Sequence, residues 1–325
     1  MEKLTVILIT MLFTASMVFA QSNNATVDQN GNGNDAEVEQ TGTLNNADIN
    51  QGFEGQGQNG ADATISQSGV NNDAIINQRA WNNRGNEHSI EQIGTTNSAK
   101  VDAYNGDNVG TILQNGDDND ALMQHGAAKE GDGNIEQNGD ENSALLRQYS
   151  GFGNSASIIQ GVSNYSSNVN IANLKQIGNN NDAKFHLTWG DVNEVIIFQE
   201  GDNNYSEYTV KYGDGNNVTV NVLGDNNRSR FNVNAAWGST SSDNSLDIQK
   251  TGDGNYLSGK LEGDMNEVNV IQNGNNNRIG TSWYTTDGIN IAGNSNLVNV
   301  SQFSDSNSAF VNVSGDTNTA TISQN

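Results

Sequence analysis

A seven-residue pattern, Asn-x-Ala-x-Ile-x-Gln, recurs 25 times between Asn23 and Gln324 and restricts the fold more than any other feature of the chain. Asn34, Ala36, Val38 and Gln40 form one copy. The first position is Asn in 23 copies, failing only at Ala61 and Gly131, and the Ile position is apolar or aromatic in 23, failing at Gly259 and Thr281. Gly stands three residues before the Asn in 17 copies. Of the 24 intervals, 15 are 11 residues and four are 12; the other five carry insertions near 52–60, 79–85, 161–168, 234–243 and 284–295. Repeats this short cannot bury an apolar face singly, so they must stack.

The marked residues alternate with period 2, which puts all four side chains on one face of a strand. Asp35, Glu37 and Glu39 make the opposite face charged. Seven strand residues and a four-residue Gly/Asn/Asp corner make a half-coil, and two half-coils return the chain beside its start. The expected fold is all-β: an amyloid-like β-solenoid of about 25 half-coils, with two facing parallel in-register sheets. At the inter-strand spacing of roughly 4.8 Å, about 12 coils make a rod of roughly 60 Å. Facing strands run in opposite directions, so small Ala36 is expected opposite large Ile49. Gly42 and Gly178 are expected to supply positive φ at corners.

This arrangement accounts for an otherwise awkward composition. A chain with 33% hydrophobic residues and a net charge of -24 reads by default as disordered. The 57 Asn and absent Pro point elsewhere: amides stacked at the strand spacing hydrogen-bond as ladders, and Pro would interrupt them. The candidate polymerisation ladder comprises Asn34, Gln40, Asn45, Gln51, Asn119, Asn142, Gln148, Asn181, Asn277, Asn318 and Gln324. The first copy begins at Asn23 and the last ends at Gln324, so both rod ends are expected to offer unpaired backbone and amides. Between Val195 and Val298 the pattern loosens: Val195, Val218, Leu246 and Ile279 replace Ala, while Val210, Val222, Val233 and Leu261 replace Gln.

Other chemistry is sparse. Without Cys there are no disulfides or thiolate metal sites, and the acidic balance argues against nucleic acid as a partner. His88, His125 and His186 lie far apart in sequence, with His125 at a ladder position and His186 outward, so no shared metal site, cofactor or catalytic group is expected. Asp202 and Asp225 should stack on one edge and Asp191 and Asp214 on the other. They read as turn residues rather than weak Ca²⁺ ligands. Trp81, Tyr165, Trp237, Trp283 and Tyr284 sit near insertions as edge covers, with binding of glycans or a partner fibre the alternative. Residues 1–20 read as a signal peptide, with Lys3 before an apolar run and cleavage after Ala20, leaving one domain over 21–325. No membrane insertion is expected of that domain.

Gln40, Gly42, Asn45, Ala47 and Gln51, and again Gln137, Gly139, Asn142, Ala144 and Gln148, resemble the curlin repeat of curli amyloid subunits. The resemblance implies a secreted structural subunit, exported through the periplasm and an outer-membrane pore, that polymerises with itself end to end. Its product would be an extracellular, cell-surface fibre for biofilm matrix and adhesion, with a nucleator subunit as a second possible partner. The alternatives are a monomeric β-solenoid adhesin or ice-binding protein and, less favoured, a β-helical polysaccharide-processing enzyme. The latter would need wider coils than 11-residue half-coils make.

Overall fold

The computed structural model describes residues 22–52, 58–79, 85–127, 129–161, 167–234, 241–281 and 287–325. Strands begin one residue after each ladder Asn, as Asn46–Gln51, Asp73–Gln78 and Ser98–Ala103 show, because alternation and the absence of Pro favour extended backbone there. The Gly-rich corner then turns the chain through the core's edge into the opposite sheet. Odd-numbered half-coils therefore form one sheet and even-numbered half-coils the other.

Among the described residues the first sheet has 13 strands, from Asn24–Gln29 to Thr319–Gln324, all parallel. The second has 14, from Asp35–Thr43 to Val311–Ser314, because two of its half-coils are each split into two short strands. Pairing is in register with the repeat: Ala47 lies beside Ala74, Ile49 beside Ile76 and Gln51 beside Gln78. It resumes across insertions, since Ala156 pairs Ala183 and Leu146 pairs Leu174. A one-residue slip would turn every apolar side chain to water, which fixes the register. Gly31–Asn32 and Gln58–Asn59 add a small parallel pair at one corner.

One expectation about the pattern is corrected. Thr281 is not an inward residue and the last insertion is not at 284–295. The half-coil opened by Asn277 is interrupted after Ile279, and Ile289 and Ile291 complete its inward face beside Gly259 and Leu261. Thr281 is exposed, whereas Ile279 and Ile289 are fully buried. Burying Ile in place of Thr is worth more than keeping a continuous strand.

The core is one side-chain layer from each sheet, small against large. Gly110 shows the rule at its limit: a methyl added there would sit 2.5 Å from the Met123 sulfur of the opposite sheet. Gly259 makes room in its own sheet for the Phe231 ring, which would lie 2.1 Å from a Cβ at that position. In the loosened stretch Val195, Val218, Leu246, Val222 and Val233 are all buried, so hydrocarbon replaces amide without changing the coil.

Corners impose a second constraint. Gly42 has φ 108° and Gly178 φ 112°, as expected, but space matters as much as torsion. A Cβ on Gly42 would lie 1.8 Å from the Gly69 carbonyl oxygen stacked beside it. The residue just before most ladder Asn residues is also left-handed, even where it is Leu44 (φ 60°), Val169 (φ 57°) or Val192 (φ 58°). Such torsions are costly for a β-branched residue.

Candidate functional site

Two kinds of amide column run along the rod. In the first sheet, from Asn45 onward, Oδ1 of each Asn accepts both the backbone N–H and the side-chain N–H of the Asn one coil later. Asn72 donates to Asn45 at 3.0 and 3.2 Å, Asn97 to Asn72 at 3.0 and 3.1 Å, and Asn142 to Asn119 at 3.0 and 3.1 Å. The second amide hydrogen goes to a corner carbonyl: Asn119 Nδ2 reaches Gly139 O at 2.7 Å. Each Asn thus closes its own corner and the next, which is why the repeat tolerates so little else there. The column continues to Asn318, whose N and Nδ2 reach Asn296 Oδ1 at 2.9 and 3.0 Å.

The Gln columns run with opposite polarity. Gln40 Nε2 donates forward to Gln67 at 2.8 Å, and the chain passes through Gln92, Gln114 and Gln137 to Gln160 at 2.8, 2.8, 2.9 and 3.0 Å. The other Nε2 hydrogen crosses the core. Gln51 donates to the carbonyls of Asp35 and Ala61 in the facing sheet at 2.8 and 2.9 Å, besides Gln78 in its own sheet at 3.0 Å. Gln columns therefore bind coil to coil and sheet to sheet, and the crossing bonds join the Gln end of one strand to the Asn end of its opposite. That is the antiparallel facing read from the repeat.

Where the pattern fails, the columns fail locally. Ala61 and Gly131 still donate backbone N–H to Asn34 and Asn108 at 3.2 and 2.9 Å. With no Oδ1 at Ala61, however, the buried Nδ2 of Asn86 has no partner. In the first sheet the Gln column stops at Gln78, since Ala103 and His125 occupy the next two positions. His88 reaches from the second sheet to fill the space. Gln78 Nε2 meets His88 Nδ1 at 2.9 Å, and His88 Nε2 meets His125 Nδ1 at 3.2 Å.

Because the Gln78 amide nitrogen can only donate, both imidazoles must be neutral with hydrogen on Nε2. The relay thereby keeps the forward polarity of the column. Its last donor, His125 Nε2, and Gln148 Oε1 on the adjoining strand are both buried and unpartnered. Burial holds His88 well below the usual imidazole range, helped by His125, and burial brings His125 down to about 4. The two histidines distant in sequence are thus neighbours in space. His186 lies on the outer face as expected. Among the described residues no three His, Asp or Glu side chains group as metal ligands would.

Lys250 was not anticipated. It stands at a Gln position, fully buried, donating Nζ to the carbonyls of Arg228 and Asn255, and burial drives its pKa well below the usual ammonium range. Its only sequence signal is a cation at an inward position.

Corner carboxylates stack as expected. Asp225 accepts the backbone N–H of Asp202 at 2.7 Å, and Asp214 that of Asp191 at 2.8 Å. Each closes the preceding corner, which is the turn role. Of the expected ladder residues, Asn45, Gln51, Asn119, Asn142, Gln148, Asn181 and Asn277 are buried. Asn34, Gln40 and Gln324 are half-buried and Asn318 is exposed, all on the outermost coils described. Trp81, Tyr165, Trp237, Trp283 and Tyr284, with residues 1–20, lie outside the described residues. No helix among the described residues is long and apolar enough to cross a membrane.

Fold and columns together define a two-sheet β-solenoid repeat protein whose core is stitched by amides. The Curlin associated repeat model matches residues 20–56, 132–161 and 293–325, so these three segments carry curlin-type repeats. The coils between those segments pair in the same register. No curated protein matches the chain significantly.

Proposed function

We propose that residues 21–325 are a secreted structural subunit that polymerises end to end into a curli-like extracellular amyloid fibre. The carrying observation is that the outermost strands described repeat the interior ones. Asn24–Gln29 and Thr319–Gln324 are in register with Asn46–Gln51 and Leu297–Gln302, and each has an open edge. An edge of unpaired N–H and C=O groups templates a further strand. Column polarity makes the ends complementary: Gln324 Nε2 faces forward as a donor, and Asn318 Oδ1 as an acceptor awaiting an Asn. A role in biofilm matrix and adhesion, a signal peptide at 1–20, an outer-membrane pore and a nucleator subunit belong to the same reading, as does a structural rather than enzymatic part.

The test is incubation of purified residues 21–325 at micromolar concentration, followed by electron microscopy. Unbranched fibres that elongate from added seeds are expected. Persistent short rods at all concentrations would favour the monomeric adhesin.

A further inference from the structure

The outward face of the second sheet is divided by charge along the rod. The charged side chains that its first five strands turn out are all carboxylates: Asp35, Glu37 and Glu39 on Asp35–Thr43, then Asp62, Glu87 and Glu91 on the next two. Asp132 and Glu136 complete eight, and these strands carry no Lys or Arg. Ser155–Gln160 is uncharged. From Asp182 to Ile279 the same face holds six of the chain's 14 basic residues, Lys184, Lys211, Arg228, Arg230, Lys260 and Arg278.

Three carboxylates lie on those later strands, and each is matched within the face. Asp182 pairs Lys184 at 3.0 Å, Glu207 pairs Arg230 at 3.3 Å, and Glu262 pairs Lys260. Asp287, in the adjoining bulge, is held by Thr281. Six cations against three carboxylates leave these strands net positive, in a chain of net charge -24. Arg278 also lies over the Tyr256 ring, 5.1 Å from its centroid, so this half is aromatic as well as basic.

We infer that two copies pair laterally through this face, antiparallel, the acidic half of each lying on the basic half of the other. A two-fold axis across the rod near Ser155–Gln160 satisfies both halves at once, as an isologous contact must. An anionic polymer would match the basic half but be repelled by the acidic one. The face spans about 12 strands at roughly 4.8 Å and about seven residues at roughly 3.3 Å, or about 1,300 Å² per copy. That exceeds the roughly 800 Å² per partner of a standard interface. The pairing adds a side-by-side contact to the proposed end-to-end stacking and is scored apart from it, because it concerns rod pairs and not rod length.

Sedimentation of freshly desalted residues 21–325, with rod width read by electron microscopy, tests it. Wild type is expected to pair at about 50 mM salt and to separate near 1 M, where the screening length is about 3 Å. K211E/R228E should weaken pairing at least tenfold, as should E37K/E91K, and mixing the two variants should restore it. Circular dichroism checks that both fold. Pairing unchanged in both variants, or single rods from wild type at every salt concentration, overturns the inference. So does wild type that stays single but captures dextran sulfate through Lys211 and Arg228. Failure of rods to elongate bears on the fibre proposal alone.

Discussion

Acidification should weaken the fold at the imidazole relay. His88 and His125 each accept a hydrogen bond at Nδ1, so a proton there sets donor against donor in a dry core. Folded His125 titrates at about 4, whereas an unfolded histidine titrates at about 6.5. Between those values the unfolded chain binds more protons, so stability falls as pH falls. The contribution is complete above about pH 6.5 and is lost as pH drops through the folded value. Two and a half pH units at about 1.4 kcal/mol each make about 3 kcal/mol for His125 alone, and His88 adds to it. Gln78 and Gln148 flank the relay along the first sheet, and Glu87 and Asp102, each one residue from a relay position, lie on outward positions of their strands. The informative variant is H88A/A103Q/H125Q, which rebuilds an ordinary Gln column. In urea unfolding of non-polymerised protein at pH 7 and pH 4, the stability lost by wild type should exceed that lost by the triple variant by about 3 kcal/mol or more. Equal losses in the two proteins would refute the relay.

Five other variants separate the forces at work. Gly201→Ala, which combines φ 118° with a Cβ 2.2 Å from the Gly224 oxygen, should cost more than about 3 kcal/mol in urea unfolding. Gly33→Ala, at φ 68° with nothing within 4 Å, should cost only about 1 kcal/mol. Val192→Gly relieves a left-handed β-branched residue and should raise stability by about 1 kcal/mol, measured the same way. Replacing Gln40, Asn45 and Gln51 by Ala should lengthen the lag of fibre formation in a thioflavin assay by removing coil-to-coil and sheet-to-sheet bonds, each worth about 1 kcal/mol. Glu37→Gln with Glu39→Gln should leave the lag equal or shorter, because those exposed carboxylates satisfy no amide and add to the charge of -24.

The repeat made the solenoid legible because period 2 and an 11-residue interval leave few other ways to bury Ala36, Val38 and their equivalents. The Asn and Gln columns followed from the same face. What escaped was set by exceptions that compensate one another. Ala103 leaves a Gln position vacant, His88 fills it from the facing sheet, and Gly110 and Gly133 give up their methyls for Met123 and the imidazoles. Read singly these are lapses of the pattern; only the stacking order shows that they meet. Thr281 was misplaced because an insertion within a strand leaves the same spacing signal as one in a corner. Left-handed Leu44 and Val169 were invisible because the torsion is forced by the following Asn's bonds rather than by their own preference.

The central claim is that one chain supplies its own stack of about 12 coils before the next chain is met. Mass per length of unpaired fibres, measured by scanning transmission electron microscopy at high salt, tests it most directly. A chain of 34.7 kDa before any processing, rising roughly 60 Å, predicts roughly 0.5–0.6 kDa per Å. A fibre with one chain per strand layer of about 4.8 Å would instead weigh roughly 7 kDa per Å and would contradict the solenoid.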